Sequence, residues 1–256
     1  MLRKDSFVYA WDVRSLKPNF TPERESVQIG PMTIKVWPGD LPLHDFGHRV
    51  ITMANTDIVS LKHELVDILL EKEKSERPIN GPNSKAVGGQ KLRNLERLNS
   101  SFFELLNERA KALFMFANNV KTAVVDDCWA NVFTEGEYIL PHAHKRCQSA
   151  VVFSLVPIAQ EIYEQDSSDG QLYIMDPRLP FCCPIQKGYA TRVKYPVSNN
   201  ECRFVTFPGF VLHGVTPHRG PQPRISISWN INETKLPGEV THDGVPRAID
   251  KTPMFR

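Results

Sequence analysis

The feature that most constrains this sequence is a series of short segments, rich in β-branched and aromatic residues, that begins after Lys121. The segments are punctuated by Gly, Pro, Asn and Asp, which favour turns and are depleted from strand interiors. Short strands separated by turn residues are typical of an antiparallel all-β domain. The sequence therefore predicts strands within residues 122–133, 136–144, 148–158, 170–176, 202–208, 210–218 and 223–232.

The last of these segments alternates between polar and apolar residues. Because successive side chains of a strand point to opposite faces, the apolar residues from Ile225 to Ile231 would share one face. The polar residues, which begin with Arg224 and Ser226, would share the other face. That polar face either lines a pocket or is exposed to solvent, and alternation alone does not decide between the two.

The residues before Lys121 carry apolar side chains at helical spacing in two separate stretches. The first stretch follows Asn55, Thr56 or Asp57 as a possible N-cap and ends before Pro78. A segment rich in Gly, Asn, Pro and Ser separates it from the second stretch. We expect two amphipathic helices that pack on one face of the sheet. Their apolar residues are Ile58, Leu61, Leu65, Ile68 and Leu69, and then Leu95, Leu98, Phe102, Leu105, Leu106, Leu113 and Phe116.

The charge balance and the cysteine content limit the classes of partner and the cellular compartment that we expect. The 31 Lys and Arg residues nearly balance the 29 Asp and Glu residues, without long blocks of either sign, so the sequence predicts no nucleic-acid or membrane partner. Neither a signal peptide nor an apolar run of about 18 residues is visible. The five cysteines form no CxxC pair, which fits reduced thiols, and we interpret Cys147 as a buried thiol. We expect a cytoplasmic protein acting on a small molecule or a peptide, with its oligomeric state open.

Three histidines on the predicted strands form a candidate metal site. His142 and His144 are two residues apart on an extended segment, so both can point to the same side, and His213 lies about four strands later. Imidazole binds Fe, Zn, Ni or Cu, and three protein ligands leave coordination positions open for substrate. An open site of this kind indicates catalysis.

The order of motifs around these histidines resembles the Fe(II)/2-oxoglutarate-dependent oxygenase superfamily. Within it, the chain resembles a bacterial and phage group that carries an HxH motif. The resemblance covers residues 120–232 well and residues 30–120 loosely. Its motifs here are Trp129-Ala130-Asn131, Gly136, His142-Ala143-His144, Ser149, Gly170-Gln171-Leu172, Asp176-Pro177-Arg178, Phe207-Pro208-Gly209-Phe210, His213 and Pro223-Arg224-Ile225-Ser226.

The resemblance implies an α+β, mainly β fold, in which a double-stranded β-helix (a cupin-like jelly roll) carries supporting N-terminal helices on one face. We expect a single domain over residues 1–256. It would comprise an N-terminal elaboration with two or more helices (1–120), the double-stranded β-helix core (121–232) and a C-terminal tail (233–256). The implied activity is that of an oxidoreductase, a dioxygenase that uses Fe(II) and 2-oxoglutarate with dioxygen and hydroxylates its substrate.

Roles for individual residues follow from the same resemblance. His142 and His213 would bind the iron, and Arg224 would bind the distal carboxylate of 2-oxoglutarate. A planar guanidinium suits this role because it can bind a carboxylate with two charge-assisted hydrogen bonds. Ser226 shares the strand face of Arg224 and can donate to the same carboxylate, while Asn131 could bond the C1 carboxylate end.

The departure from the wider superfamily is His144, which stands where most members have an acidic residue. In one interpretation His144 is the third iron ligand, and the site loses one negative charge. In the other, the third ligand is a carboxylate, for which Asp176 is the candidate. The HxH spacing favours the first interpretation, because i and i+2 positions of a strand point to the same side.

Two other functions compete with this assignment. One is a cupin-type dioxygenase with three histidines that binds its substrate directly, without 2-oxoglutarate, and such a site has no need of Arg224 and Ser226. The other is a non-catalytic β-sandwich interaction module. A closed site with four ligands would support that module, but no fourth Cys or His stands at a suitable spacing. The sequence does not indicate the primary substrate.

Overall fold

The computed structural model describes residues 11–12, 18–45, 50–76, 90–144, 146–158, 169–175, 193–194 and 202–236. Two α-helices, α1 (His63–Glu76) and α2 (Ser101–Asn118), and 3-10 helices at Thr56–Leu61 and Leu95–Arg97 accompany the strands. In chain order the strands are β1 (Trp11–Asp12), β2 (Ser26–Ile29), β3 (Met32–Lys35), β4 (Leu43–Asp45), β5 (Ile51–Ala54), β6 (Gln90–Leu92), β7 (Val124–Phe133), β8 (Ile139–His142), β9 (Ser149–Val156), β10 (Leu172–Ile174), β11 (Val193–Lys194), β12 (Arg203–Pro208), β13 (His213–Val215) and β14 (Arg224–Asn232).

Two antiparallel sheets form the body of the protein. The large sheet has the strand order β1-β4-β5-β12-β9-β14-β7-β6, and the small sheet has the order β11-β10-β13-β8. Strands β2 and β3 form a separate hairpin. Each of the seven segments predicted as strands contains one, so the mainly β prediction is confirmed.

The two sheets face each other across an apolar layer. Val152, Val205 and Phe207 of the large sheet pack with Leu172 and Val215 of the small sheet. Burying these faces against each other supplies the main stabilisation of such a sandwich. The strands of the small sheet and the last strands of the large sheet therefore meet over one interior, and their polar inward residues must share it.

The helices cover the other face of the large sheet, as predicted. Leu65 and Leu69 of α1 and the apolar face of α2 join the cluster that includes Phe153 and Trp229. Helix α2 begins after Ser100, whose hydroxyl accepts a hydrogen bond from the Phe103 amide, as an N-cap residue does.

The predicted helix starts were wrong in detail. After Asn55 the chain forms a 3-10 helix, and α1 begins only at His63. The Asn55 side chain does not cap it, because it donates to the Met53 carbonyl and accepts from the buried Arg109. Likewise, Leu95 lies in a separate 3-10 helix, and the extended backbone of Leu98 interrupts the helical path before α2.

Strands of the N-terminal half extend the large sheet on both sides. Strand β5 pairs with β12 and is followed outward by β4 and β1, while β6 pairs with β7. The sequence had indicated helices in this half. The division of the chain at residues 120 and 232 stays a prediction, and residues 237–256 lie outside the described part. Among the described residues, no helix combines the length and the hydropathy needed to span a bilayer.

Candidate metal centre

The structure brings the three predicted histidines together at one end of the sheet interface. His142 ends β8 and His213 begins β13, and their Cα atoms are direct partners in the small sheet. His144 follows two residues after β8, so its ring lies beside the other two. One nitrogen of each ring falls within 4.8 Å of the others, and the Nε2 atoms of His144 and His213 are 3.1 Å apart.

Hydrogen bonds fix the protonation of each ring. The Nδ1 atoms of His142 and His213 lie 2.9 Å from the carbonyl oxygens of Leu140 and Val211. A carbonyl only accepts, so both Nδ1 atoms carry the proton and both Nε2 atoms carry the lone pair. The Nδ1 of His144 likewise bonds the side-chain oxygen of Asn230. In this tautomer all three Nε2 atoms are free to bind a metal.

Burial keeps the three rings neutral. Desolvation lowers the pKa of His144 to about 4 and the pKa of His213 to about 3, and it also lowers the pKa of His142. Each ring disfavours the charging of its neighbours, which adds to the effect for His144 and His213. Neutral imidazole is the form that binds a metal, so at neutral pH the three ligand atoms are ready without loss of a proton.

The donor set fits one divalent ion. Two unprotonated Nε2 atoms cannot hydrogen-bond to each other, so the 3.1 Å approach of His144 and His213 places two lone pairs face to face. Nitrogens that bind one ion at about 2.1 Å with a nearly right-angled separation lie about 3 Å apart. A cation held by the three Nε2 atoms would therefore relieve this contact.

Aromatic rings and a tight loop hold the histidines in place. The indole of Trp129 stacks on the His144 ring at 5.7 Å between centroids, and Phe207 packs on His213 at 4.6 Å. The His144 amide donates to the carbonyl of Gly209. A Cβ at Gly209 would lie 2.1 Å from the Cys147 carbonyl oxygen, so only glycine allows this approach.

Arg224 lies in the same cavity and has no ion-pair partner among the described residues. Its side chain is buried, with 2% of the residue exposed, and its guanidinium carbon lies 5.0 Å from the Phe133 ring centroid. Nε and Nη1 have no hydrogen-bond partner within the described residues, and burial lowers the pKa of Arg224 to about 10. A buried guanidinium with unsatisfied donors is costly unless an anion binds it.

Asn131 and Ser226 line the same cavity as this arginine. They are direct partners across β7 and β14, both are buried, and both line the cavity with Arg224 and the three histidines. The Oδ1 atom of Asn131 has no hydrogen-bond partner in the described part of the chain. The interior thus offers three lone pairs at one end, a buried cation at the other, and polar groups between them.

Other residues with potential ligand atoms are Asp176, Cys147 and His218. Asp176, the alternative third ligand, lies outside the described residues. Cys147 is half-buried, and burial raises the pKa of its thiol to about 12, which keeps it protonated. His218 is buried, with its Nε2 against the Gln222 carbonyl oxygen. In the described part of the chain, the three histidines are the cluster with metal-binding geometry.

Asn230 is a site residue that the sequence reasoning did not assign. It lies on the polar face of β14 with Arg224, Ser226 and Ser228. The alternation of polar and apolar residues in this strand could therefore have identified Asn230 as a residue of the same face. What the alternation could not show is that the strand passes beside His144, because this depends on how β14 is placed relative to the segment after β8.

We expect Asn230→Ala to weaken divalent metal binding roughly 10–100-fold, because a second-sphere partner of a metal-binding histidine fixes its tautomer and orientation. Metal titration of the purified variant followed by fluorescence or calorimetry would measure the loss. The matched control is Ser228→Ala. It removes a polar group from the same strand face, and Ser228 forms no hydrogen bond with a histidine among the described residues. Equal affinity for the wild type and Asn230→Ala would contradict this role.

Comparison with known proteins agrees with the geometry. Residues 127–230, from β7 to β14, match a family model described as "Putative 2OG-Fe(II) oxygenase". Over this range the chain is similar to the core of a 2OG-Fe(II) oxygenase. The matched range includes the three histidines, Asn131, Arg224 and Ser226. Fe(II) and 2-oxoglutarate are the cofactor and co-substrate of this enzyme class. No curated protein sequence matches the chain.

Several solved structures share the fold at low sequence identity. A prolyl hydroxylase from Trichoplax adhaerens, in complex with a hypoxia inducible factor peptide fragment, is 16% identical with a TM-score of 0.51 over 73% of this chain and 84% of that one. HygX from Streptomyces hygroscopicus, with nickel and 2-oxoglutarate bound, is 11% identical with a TM-score of 0.51, over 77% and 89%. AviO1 from Streptomyces viridochromogenes Tue57 is 15% identical with a TM-score of 0.51, over 72% and 88%. The double-stranded β-helix prediction is thereby confirmed.

Proposed function

We propose that this oxygenase hydroxylates a small molecule or a peptide, with iron bound by His142, His144 and His213 and 2-oxoglutarate bound by Arg224. Iron and 2-oxoglutarate together activate dioxygen for oxidation of a C–H bond, while 2-oxoglutarate is converted to succinate and carbon dioxide. The chain itself supplies the three neutral nitrogens, the buried guanidinium and the cavity between the sheets.

The observation that carries this proposal is the unpartnered Arg224 in the cavity of the histidines. A dicarboxylate can bind the metal at one end and the guanidinium at the other. The Ser226 hydroxyl lies on the same strand face and can donate to the same carboxylate. Asn131, with its free Oδ1, faces the space between the two ends. A metal site at one end of the cavity and a guanidinium at the other match the two ends of a dicarboxylate. This match supports 2-oxoglutarate as the co-substrate.

In the competing dioxygenase, the substrate would bind directly to a metal held by three histidines. This function does not explain the buried guanidinium of Arg224. Keeping a guanidinium buried and unpaired costs several kcal/mol, roughly, unless a bound anion offsets it. A substrate that is itself a dicarboxylate would satisfy the same geometry, so the two enzymes must be separated by measurement. The hydroxylase of the first comparison is in complex with a peptide fragment, which supports a peptide as one substrate class to test here.

The deciding experiment is an anaerobic titration of the Fe(II) protein with 2-oxoglutarate. Chelation of the metal by the 2-oxo acid should produce a weak visible metal-to-ligand charge-transfer band. Admission of air should then yield succinate. Iron binding without the band would exclude 2-oxoglutarate and favour the direct-binding dioxygenase.

The third ligand is tested by His144→Asp, which we expect to retain stoichiometric iron. Aspartate occupies the same position after β8, and a carboxylate there gives the ligand set usual in the superfamily. The variant also adds one negative charge to the iron site, which increases electron donation to the metal. Iron content after gel filtration would measure retention.

Two alanine variants complete this comparison. We expect His144→Ala to lose iron and Asp176→Ala to keep it. The reverse pattern, with iron lost in Asp176→Ala and kept in His144→Ala, would assign the third ligand to the carboxylate.

A further inference from the structure

In the described part of the chain, the residues that line the cavity carry positive charge and include no acidic side chain. Among the described residues that line it, the charged side chains are Arg224, deep between the sheets, and Lys91, which is exposed and so marks the open side. The other lining residues are neutral polar or apolar side chains and the three histidines. Arg224 is already needed for 2-oxoglutarate, so Lys91 is the cation that the proposed function leaves unexplained.

Strand β6 places Lys91 on the inner surface of the sheet. Its Cα partner on β7 is Asn131, whose partner on β14 is Ser226, so the three residues form one row across adjacent strands. The Lys91 ammonium lies 5.2 Å from the centroid of the Trp129 ring, and that ring stacks on His144. One indole therefore separates the ammonium from a candidate iron ligand.

The ammonium of Lys91 has no ion-pair partner in the described part of the chain. The nearby carboxylate of Asp127 is engaged by Arg93, with Nη1 and Oδ2 3.0 Å apart. The Trp129 ring holds the lysine through a cation–π contact, which is weaker than pairing with a carboxylate. Partial burial and the charge of Arg93 lower the pKa of Lys91, and the Asp127 carboxylate opposes part of this shift.

The net charge of the site with Fe(II) and 2-oxoglutarate bound indicates the charge of the substrate that it would attract. Three neutral imidazoles leave the charge of Fe(II) intact, and one 2-oxoglutarate dianion offsets it. Arg224, deep between the sheets, and Lys91, at the open side, then remain as positive charges that line one cavity. Coulomb attraction in such a space favours a second anion and disfavours a cationic ligand.

We propose that Lys91 is a substrate-binding residue and that the primary substrate carries an anionic group, a carboxylate or a phosphate, which binds at Lys91 beside Trp129. This inference rests on the proposed function. The ammonium acts as a point charge at the open side of the cavity, and the indole gives the adjoining part of the substrate an apolar surface. The anionic group would thereby fix the distance between the rest of the substrate and the iron.

The test uses Lys91→Met and the matched control Lys121→Met, which removes the same charge from an exposed lysine that does not line the cavity. Anaerobic titration with 2-oxoglutarate comes first. We expect the charge-transfer band and the 2-oxoglutarate affinity of Lys91→Met to equal those of the wild type. A loss comparable to that of an Arg224 variant would place Lys91 in the 2-oxoglutarate site and overturn the inference.

The second step compares an acid with its neutral amide as probes of the loaded Fe(II) and 2-oxoglutarate complex. Hexanoate and hexanamide match in length, and binding is followed through the change in the charge-transfer band. We expect the wild type and Lys121→Met to bind hexanoate at least tenfold more tightly than hexanamide, and Lys91→Met to lose this preference. Lys91→Arg should restore most of it. Phosphate-bearing and carboxylate-bearing probes of equal length then identify the anionic group.

Failure of the two proposals can be told apart. Absence of the charge-transfer band in the wild type would refute the proposed function. Presence of the band with equal affinity for hexanoate and hexanamide, or with an acid preference that survives in Lys91→Met, would overturn the assignment of Lys91 alone.

Discussion

His213→Ala is expected to lose stoichiometric iron while keeping the fold. His213 is the most buried of the three histidines, with 4% of the residue exposed, and it supplies Nε2 from within the small sheet. Removing it leaves two neutral nitrogens, one of them on the segment after β8, and two such ligands do not hold the metal tightly. The apolar layers on both faces of the large sheet form without the metal, so the fold should not depend on it.

Metal content and thermal unfolding measured on the same sample would check this expectation. His142→Ala should behave in the same way, because its ring lies 4.3 Å from that of His213 between centroids. His63→Ala, at the exposed start of α1, is the control for loss of a histidine elsewhere. Stoichiometric iron in His213→Ala would remove this residue from the ligand set.

The histidine cluster could be predicted for two reasons. Two of its members are close in sequence, and the third stands at a position that the resemblance to a known family identifies. The i and i+2 spacing of His142 and His144 places both rings on one side of an extended segment. His213 could be added through the resemblance. It lies opposite His142 because β8 and β13 are adjacent antiparallel strands. The polar alternation of β14 likewise predicted the shared face of Arg224 and Ser226.

What the sequence did not predict depends on contacts between distant segments. Residues 79–91 read as a linker rich in turn residues, and β6 exists because Lys91 and Leu92 pair with β7. Strand formation in so short a segment depends on its neighbour more than on its own propensity. For the same reason Lys91 was not seen as part of the cavity.

The helix boundaries show a related limit. Asn55 has the side chain of an N-cap residue, but a buried arginine 54 positions later competes for its oxygen. Arg109 also forms an ion pair with Asp57, so two of the three residues offered as caps serve a tertiary contact instead. A charge-assisted hydrogen bond to a buried guanidinium stabilises the protein more than an N-cap hydrogen bond at the surface. The periodicity of apolar residues does not reveal such a bond.

Arg224→Lys is expected to weaken 2-oxoglutarate binding at least tenfold while leaving iron binding unchanged. Lysine loses the planar fork that binds a carboxylate with two hydrogen bonds. Deep burial at this position also lowers the pKa of an amine, so part of the charge would be lost. The loss corresponds to about 1.4 kcal/mol or more of binding free energy.

Anaerobic titration of the charge-transfer band, at fixed Fe(II), would measure this loss directly. The control is Arg97→Lys, the same substitution on an arginine whose side chain is 77% exposed. Unchanged 2-oxoglutarate affinity in Arg224→Lys would refute the carboxylate-binding role. Loss of iron together with 2-oxoglutarate would instead give Arg224 a structural role, since its guanidinium lies against Phe133 at the end of β7 and its removal would then disturb the strands that carry the site.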